Sequence, residues 1–400
     1  MTGNQASRSE TIDSRYGRAV SVGVDIGSIN SNVVACWVEH GKLVRKKVVF
    51  DSYVKLGVPE IYSDLDGDSA DEAGLVTLND GRTYTIGQKT EQGLVVGEKR
   101  CYSGGRTALL YHALLMLGVT EKDILIIAAG VPTELAYQKD GFGRNEPNTT
   151  FLKKVADSFR LLPHKVLSVD VYPEVAPASF VYFAEYEDID NWGKMQKDRL
   201  NEGEVTLFAD DGGDTLDKQS VVVVRDEKQN ILKPQVIRST CISYPGHGVK
   251  GMHNILNQSI CTAFVEQGQK VGGGTLNQYQ LDAALAGMVA INGIPIETKT
   301  FIADAIEKQA ARIQNTLVTS TNEQQIDNYA FSGGGFAGVF KPYVTSWFEN
   351  TTLLDGWAAA KGLLTLATRQ ALMMAHKQKP MQKPTFTQAL INLGKCNGKT

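Results

Sequence analysis

The stretch VGVDIGSIN, residues 22–30, recurs in outline as LFADDGGDTLD at residues 207–217, about 185 positions later. The first copy runs into the apolar segment 33–38 and the second into the valine run 221–224. Each copy is typical of a strand, an acidic residue, a glycine turn with small polar side chains, and a second strand. A pattern that occurs twice in one chain predicts two related halves.

Both glycine turns have the composition of phosphate-binding turns. Glycine lets backbone N–H groups approach a phosphate closely, and hydroxyl side chains add hydrogen-bond donors. Two such turns facing each other would clamp a nucleoside triphosphate from both sides. The residues predicted to bind nucleotide are Gly27, Ser28 and Asn30 in the first copy and Gly212, Gly213, Asp214 and Thr215 in the second.

The acidic residue ahead of each turn, Asp25 or Asp210, indicates a metal site. A carboxylate repels phosphate, so both residues are predicted to bind Mg²⁺, through waters because magnesium dehydrates reluctantly. The second copy also contains Asp211, Asp214 and Asp217. Such a carboxylate-rich turn repels a triphosphate unless Mg²⁺ neutralises it.

Other interpretations of the turns fit less well. Either copy alone is compatible with an ordinary β-hairpin that has an Asp-Gly tip. The Rossmann and P-loop motifs need a helix directly after the glycines, whereas β-branched runs follow both turns here. The sequence contains no G-x-x-x-x-G-K-[ST] pattern.

Composition narrows the class of protein. The 400 residues are 42% hydrophobic, which is enough for two sizeable cores. A net charge of −3 provides no overall field to attract nucleic acid or a membrane surface. The five cysteines are scattered without a C-x-x-C pair, so no disulfide framework or zinc site is indicated and a reducing cytoplasm is expected. No apolar stretch approaches the length of a membrane span.

The order of patterns along the chain predicts the domain boundaries. Residues 1–18 are polar and are expected to form a disordered leader. The first domain is predicted at 19–203 with a small subdomain at 51–99, and the second at 204–350 with a small subdomain at about 250–300. A C-terminal helix at 351–375 is expected to return to the first domain. Residues 376–400 have five lysines and no acidic residue, which predicts a basic flexible tail.

Further motifs carry a resemblance to a known family. A third glycine turn, Ser332-Gly333-Gly334-Gly335, follows a predicted strand, and with the two phosphate turns it resembles the actin-like ATPase superfamily. The segments YHALL (111–115), VPTE (131–134), NEPNT (145–149) and VDVYPEVAPA (169–178) resemble ParM, the bacterial actins of plasmid segregation. The resemblance covers about residues 20–370 and is strongest over 105–255.

The resemblance implies an α/β actin-like fold, with two duplicated α/β domains around a nucleotide cleft and a smaller subdomain on each. Asp25 and the first turn would hold the β- and γ-phosphates from one side, and Asp210 and the second turn from the other. Gly333, Gly334 and Gly335 would let the backbone pass close to the base and the α-phosphate. Asp25 and Asp210 would set a hydrated Mg²⁺. Glu174 is similar to the catalytic glutamate that orients or activates the attacking water, and Asp210 is counted with it as catalytic.

The function that the resemblance implies is a filament-forming bacterial actin that hydrolyses ATP or GTP and drives plasmid segregation in the cytoplasm. Its expected partners are further copies of itself and a centromere-binding adaptor, with no direct contact to DNA or a membrane. Asp211 departs from the family, which usually has an apolar residue there, and this leaves the roles of Asp210 and Asp211 interchangeable. A sugar-type kinase on the same clamp is the alternative function, although no base for an acceptor hydroxyl stands out. A heat-shock-type chaperone would need a peptide-binding domain after the last helix.

Overall fold

The computed structural model describes residues 17–57, 74–87, 98–141, 144–186, 192, 194–228, 230–268, 274–321, 325–378 and 385–397. The predicted leader lies outside the described residues except for its last two positions. Segments 58–73 and 88–97 of the predicted subdomain at 51–99 also lie outside them.

Seventeen strands occur in the described residues. They are β1 (Ala19–Ile26), β2 (Asn30–Glu39), β3 (Lys42–Asp51), β4 (Val54–Leu56), β5 (Gly74–Thr77), β6 (Thr83–Ile86), β7 (Ile124–Val131), β8 (Tyr137–Lys139), β9 (Asn145–Pro147), β10 (Lys165–Pro173), β11 (Val205–Asp211), β12 (Thr215–Asp226), β13 (Ile231–Pro245), β14 (Met288–Ile291), β15 (Ile294–Glu297), β16 (Asn328–Ser332) and β17 (Thr351–Leu353).

Twelve α-helices connect and cover these strands within the described ranges. They are α1 (Glu98–Cys101), α2 (Gly104–Leu117), α3 (Thr133–Ala136), α4 (Thr149–Ser158), α5 (Val175–Phe183), α6 (Val249–Glu266), α7 (Gln278–Leu285), α8 (Lys299–Thr319), α9 (Gly334–Ala337), α10 (Lys341–Trp347), α11 (Ala358–Gln378) and α12 (Phe386–Asn397). Two short 3₁₀-helices lie at Phe159–Leu161 and Lys197–Arg199.

Two five-stranded sheets have the same topology. Their strand orders are β10-β7-β1-β2-β3 and β13-β12-β11-β16-β17. In each sheet a central strand, β1 or β11, pairs antiparallel with the strand after its glycine turn and parallel with the strand on its other side. We call these sheets, with the helices packed on them, the first half and the second half.

Apolar runs place these strands in the interior. All eight residues of β7 are buried, as expected for a parallel strand covered on both faces. In the first half, α2 contacts the sheet from one side, while α11 contacts β1 and β7. A Cβ atom on Gly23 would lie 2.4 Å from the Ala360 carbonyl oxygen, so α11 packs directly on the β1 backbone. In the second half, α6 packs against α8, and α5 contacts β11 and β12.

Smaller elements lie on each half. A three-stranded sheet, β4-β6-β5, is packed by α2 and falls within the range 51–99. Its strands β5 and β6 form an antiparallel pair around the turn at Asn79-Asp80-Gly81. In the second half, α7 contacts the two-stranded sheet β14-β15, within the range 250–300.

The segment 351–375 differs from the prediction of a single helix. Residues Thr351–Leu353 form β17, which pairs parallel with β16 in the second half's sheet, and α11 begins only at Ala358. The two threonines are β-branched and favour the strand conformation. The second half therefore extends past residue 350, and the helix that returns to the first half is shorter at its start.

The predicted flexible tail also differs from the structure. Residues Phe386–Asn397 form α12, which contacts α11, β1 and β2. Ala389, Leu390 and Leu393 are buried in one cluster with side chains of the first half's sheet. These apolar residues recur at helical spacing, and their burial outweighs the basic composition that suggested disorder.

Candidate functional site

The two glycine turns have the same backbone closure. The Gly27 N–H donates to the Asn30 carbonyl over 2.9 Å, and the Gly212 N–H donates to the Thr215 carbonyl over 3.0 Å. Each turn follows the central strand of its sheet and leads into the antiparallel partner strand. Because the two sheets have the same topology, the two turns lie at equivalent places in the two halves.

The turns face each other closely. A Cβ atom on Gly213 would lie 2.4 Å from Ser28 Oγ and 2.7 Å from Ile29 Cγ1, so only glycine fits at this contact. A cavity of about 370 Å³ lies between the two halves at this point. The α6 N–H groups at Val249 and Lys250 donate to the carbonyls of Gly212 and Gly213, which fixes the second turn from behind.

The third glycine turn closes another side of the cavity. Gly333 has a φ of +97°. A Cβ atom there would lie 2.4 Å from the Asp211 carbonyl oxygen. Gly335 lies behind the cavity wall, where a Cβ atom would overlap the Asp211 carboxyl group. All three glycines of this third turn were predicted to bind nucleotide. The structure places Gly333 and Gly334 at the cavity and Gly335 outside it.

The remaining residues predicted from sequence converge on this one cavity. Those that line it are Asp25, Gly27, Ser28, Asn30, Glu174, Asp210, Gly212, Gly213, Asp214 and Thr215. They come from positions far apart in the chain, and the two halves contribute to opposite walls.

The adjacent carboxyls Asp210 and Asp211 point to opposite sides of β11. Asp210 lines the cavity, and its Oδ2 accepts a hydrogen bond from Ser332 Oγ over 2.5 Å. Burial, together with the charges of Asp25 and Asp217, raises the pKa of Asp210 to about 7. Asp211 is fully buried, and neither of its carboxyl oxygens has a hydrogen-bond partner among the described residues. Burial, and secondarily the charge of Asp210, raises the pKa of Asp211 well above its usual value.

Asp25 is the counterpart of Asp210 in the first half. Its Oδ2 accepts a hydrogen bond from Asn32 Nδ2 over 3.3 Å, and burial raises its pKa. Within the described residues, no three acidic, histidine or cysteine side chains converge to form a complete metal site. Two carboxylates on opposite walls instead fit a Mg²⁺ ion that takes its other ligands from water and phosphate, as this ion usually does. The residues present are therefore compatible with the predicted Mg²⁺.

Glu174 lies directly before α5 at the end of β10. Its backbone N–H donates to the Val131 carbonyl over 2.8 Å, which fixes the residue at the end of the neighbouring strand β7. Its side chain passes Gly130, where a Cβ atom would lie 3.2 Å from Glu174 Cγ. Burial, and then the charges of Asp217, Asp25 and Asp210, raise the pKa of Glu174 well above its usual value. A carboxylate with a raised pKa is a stronger base, which suits the activation of water.

Asp217 joins the two halves behind the second turn. One carboxylate oxygen accepts from the Thr133 backbone N–H of the first half over 3.1 Å, and the other accepts from Thr215 Oγ1 over 2.8 Å. Asn145 makes a second link, because its Nδ2 donates to the carbonyls of Arg238 and Cys241. Sequence reasoning recorded Asp217 only as a further carboxylate of the turn.

Sequence reasoning missed two arginines that line the cavity, Arg100 and Arg106. Arg106 is buried on α2 and donates to the carbonyls of Cys101 and Gly130. Arg100, on α1, donates to the carbonyl of Gly27 in the first phosphate turn. Neither residue belongs to a recognisable motif. They reach the cavity because α1 contacts α2 and α2 contacts β1, which ends at the first phosphate turn.

No model of a known protein family and no curated protein sequence matches the chain. Its fold is similar to that of an archaeal actin homologue, Ta0583, with a TM-score of 0.60 and 15% identity over 88% of this chain and 99% of the other. A 15-stranded ParM filament structure from Clostridium botulinum matches with a TM-score of 0.57 and 16% identity, over 88% and 99%. A structure of Ta0583 in complex with ADP matches with a TM-score of 0.56 and 15% identity, over 87% and 99%. These likenesses confirm the predicted actin-like fold. None of the helices in the described ranges has the length and apolar character needed to cross a membrane.

Proposed function

We propose that this protein is a nucleotide-dependent, filament-forming actin that hydrolyses ATP or GTP in the cytoplasm and drives plasmid segregation. The observation that carries the proposal is the convergence of both phosphate turns, Asp25, Asp210 and Glu174 on one cavity between two halves of equal topology. The actin-like fold supports it, and so does the ADP bound to a solved protein of similar fold.

In this proposal the two turns hold the polyphosphate. The backbone N–H groups at Ser28 and Gly213 are available at the cavity, while the first glycine N–H of each turn is used for closure and the Thr215 hydroxyl donates to Asp217. Asp25 and Asp210 would hold Mg²⁺, which supplies positive charge to the phosphate oxygens. Because one residue comes from each half, a bound metal–nucleotide complex would hold the halves together.

Glu174 would orient and deprotonate the attacking water. Phosphoryl transfer depends mainly on positioning and on stabilisation of charge, so a single well-placed carboxylate is the principal chemical group that the protein needs to add. The backbone of Glu174 lies between β10 and α5 and is hydrogen-bonded to β7, which holds the carboxylate at the cavity. A glutamate on a loose loop would lose this orientation.

Filament formation requires head-to-tail contacts between copies of the chain, which do not close into a ring. A solved filament of ParM shares this fold. Segregation would further require an adaptor that binds the plasmid centromere, so direct DNA contact by this chain is not expected.

The test combines light scattering with phosphate release, using purified protein with Mg²⁺ and either ATP or GTP. Scattering of the wild type should rise when nucleotide is added. Glu174→Gln should still assemble but should hydrolyse nucleotide on the order of a hundredfold more slowly, because it cannot accept the proton of water. Glu266→Gln, the same change at an exposed position on α6, should behave like the wild type.

Two outcomes would contradict the proposal. Scattering that stays flat with both nucleotides would exclude the filament. Consumption of nucleotide only when a sugar is added would identify the kinase alternative instead.

A further inference from the structure

The side chains around the cavity carry too little positive charge to balance a bound triphosphate. The carboxyl-bearing residues that line it are Asp25, Glu134, Glu174, Asp210 and Asp214. Among the described residues, the only basic side chains at the cavity are Arg100 and Arg106, and neither phosphate turn contains a lysine. One Mg²⁺ ion compensates only part of the combined negative charge of phosphates and carboxylates. Lys250 Nζ lies 3.7 Å from Asp214 Oδ2, so the two arginines are the cations available to the phosphates themselves.

The two arginines are not equivalent. Arg106 is 4% exposed, donates to two backbone carbonyls, and has its guanidinium 5.7 Å from the centre of the Phe159 ring. These contacts fix Arg106 in the wall behind the cavity. Arg100 is only half-buried, and its guanidinium donates to the carbonyl of Gly27.

The position of Arg100 connects the phosphate turn with the proposed base. The guanidinium bonded to Gly27 lies in the field of both Glu174 and Asp214, whose negative charges favour its protonated form. Burial and the neighbouring Arg106 oppose them and lower the pKa of Arg100, but a guanidinium stays charged at neutral pH. Arg100 therefore brings a positive group to the first phosphate turn, in the same cavity that Glu174 lines.

We propose that Arg100 contacts the terminal phosphate group of the bound nucleoside triphosphate and stabilises the charge that develops on it during hydrolysis. This proposal rests on the proposed function and adds a residue to the same site. It also explains why the first turn needs no lysine, since α1 brings the cation from outside the turn.

The reaction step balances as an ordinary hydrolysis. The water oxygen bonds to the terminal phosphorus as the bond from phosphorus to the bridging oxygen breaks, and that electron pair leaves on the nucleoside diphosphate. The hydroxyl of the water stays on the phosphate, and its other proton passes to the Glu174 carboxylate and then to solvent. Arg100 keeps all of its protons and acts by hydrogen bonding and charge. A fixed donor of this kind is typically worth about 10²–10³ in rate.

The experiment compares Arg100→Gln, Arg100→Lys and the matched control Lys99→Gln, which changes the neighbouring residue and does not line the nucleotide cavity. Single-turnover hydrolysis of ATP is measured together with the affinities for a fluorescent ADP and for a non-hydrolysable ATP analogue. Arg100→Gln should reduce hydrolysis roughly a hundredfold and weaken binding of the triphosphate analogue. It should leave ADP affinity near that of the wild type, which also shows that the variant is folded. Arg100→Lys should recover part of the rate because it restores the charge without the planar fork.

The outcomes separate this proposal from the one on which it rests. If the wild type binds and hydrolyses ATP and Arg100→Gln does so at an equal rate, the role of Arg100 is wrong and the proposed function stands. An equal loss of ADP and ATP-analogue affinity would also overturn it, since it would place Arg100 on another part of the nucleotide. If the wild type neither binds nor hydrolyses nucleotide, both proposals fail.

Discussion

The two halves of the molecule share a topology, and their phosphate turns differ in charge. Both sheets have the same strand order and the same turn closure after the central strand. The first turn, Gly27-Ser28-Ile29, has no charged side chain of its own and is bonded to Arg100. The second turn, Gly212-Gly213-Asp214, follows Asp210 and Asp211 and precedes Asp217. Duplication thus sets the geometry of the clamp, while the two turns differ in side-chain charge, with an arginine at the first turn and four aspartates in or beside the second.

The halves also differ in what covers their sheets. The first half carries α12, a terminal helix packed on α11, β1 and β2, and no helix from the chain's end covers the second half within the described residues. The ring of Phe386, the first residue of α12, lies 5.1 Å from that of Trp192. Trp192 Nε1 in turn donates to Thr365 Oγ1 on α11 over 3.1 Å. These contacts tie α12 to the segment that connects the two halves.

The largest effect is expected from removing the cavity carboxylate of the second half. Asp210→Ala should abolish the Mg²⁺-dependent part of nucleotide binding, because it leaves Asp25 as the only metal-side carboxylate at the turns. Isothermal titration of ADP and of an ATP analogue, with Mg²⁺ and with EDTA, measures this difference. The matched control is Asp211→Asn, which changes the adjacent carboxyl group that points away from the cavity.

The result also decides between the two neighbouring carboxylates. If Asp211→Asn lost the Mg²⁺ dependence and Asp210→Ala kept it, the metal-side role would belong to Asp211. In that case β11 would present its other face to the nucleotide, and Asp210 would no longer be the residue of the second turn that holds Mg²⁺.

A smaller effect is expected from the helix that only the first half carries. Leu393→Ala should lower the free energy of unfolding by about 2–3 kcal/mol, since Leu393 is fully buried and the change leaves a cavity. Urea denaturation followed by tryptophan fluorescence measures it, and Trp192 reports on the neighbourhood of α12. Gln388→Ala, at an exposed position of the same helix, should change stability by less than about 0.5 kcal/mol. Equal stability of Leu393→Ala and wild type would mean that α12 does not stabilise the first half.

Much of this comparison could be predicted from the sequence, because it depends on local patterns. Each strand-turn-strand copy places its glycines and acidic residue at a strand end, and this predicted two related halves. The actin-like fold was implied by the resemblance that these turns, the third glycine turn and the further motifs carry together. The choice between Asp210 and Asp211 could not be made, since strand residues alternate in direction and the sequence does not say which face is inward. Arg100 reaches the cavity only through tertiary packing. In α12, the lysines obscured the apolar spacing of Ala389, Leu390 and Leu393.

The smallest effect concerns the buried carboxyl of Asp211, next to the aspartate-rich second turn. Its folded pKa is raised above the unfolded value, so between the two pKa values the folded state holds a proton that the unfolded state has lost. The contribution of Asp211 to stability therefore falls as the pH rises through this window. Asp211→Asn keeps the shape and removes the titration, so it should be more stable than the wild type at pH 7.

Urea denaturation of both proteins at pH 5 and pH 7.5 measures this advantage of Asp211→Asn, which should shrink at the lower pH. Asp198→Asn, at an exposed position, should show no such change between the two pH values. A variant less stable than the wild type at both pH values would mean that Asp211 is ionised in the fold and held by a cation. The second turn would then need a second positive partner besides the metal at Asp210, and the difference in charge between the two turns would be smaller than their sequences indicate.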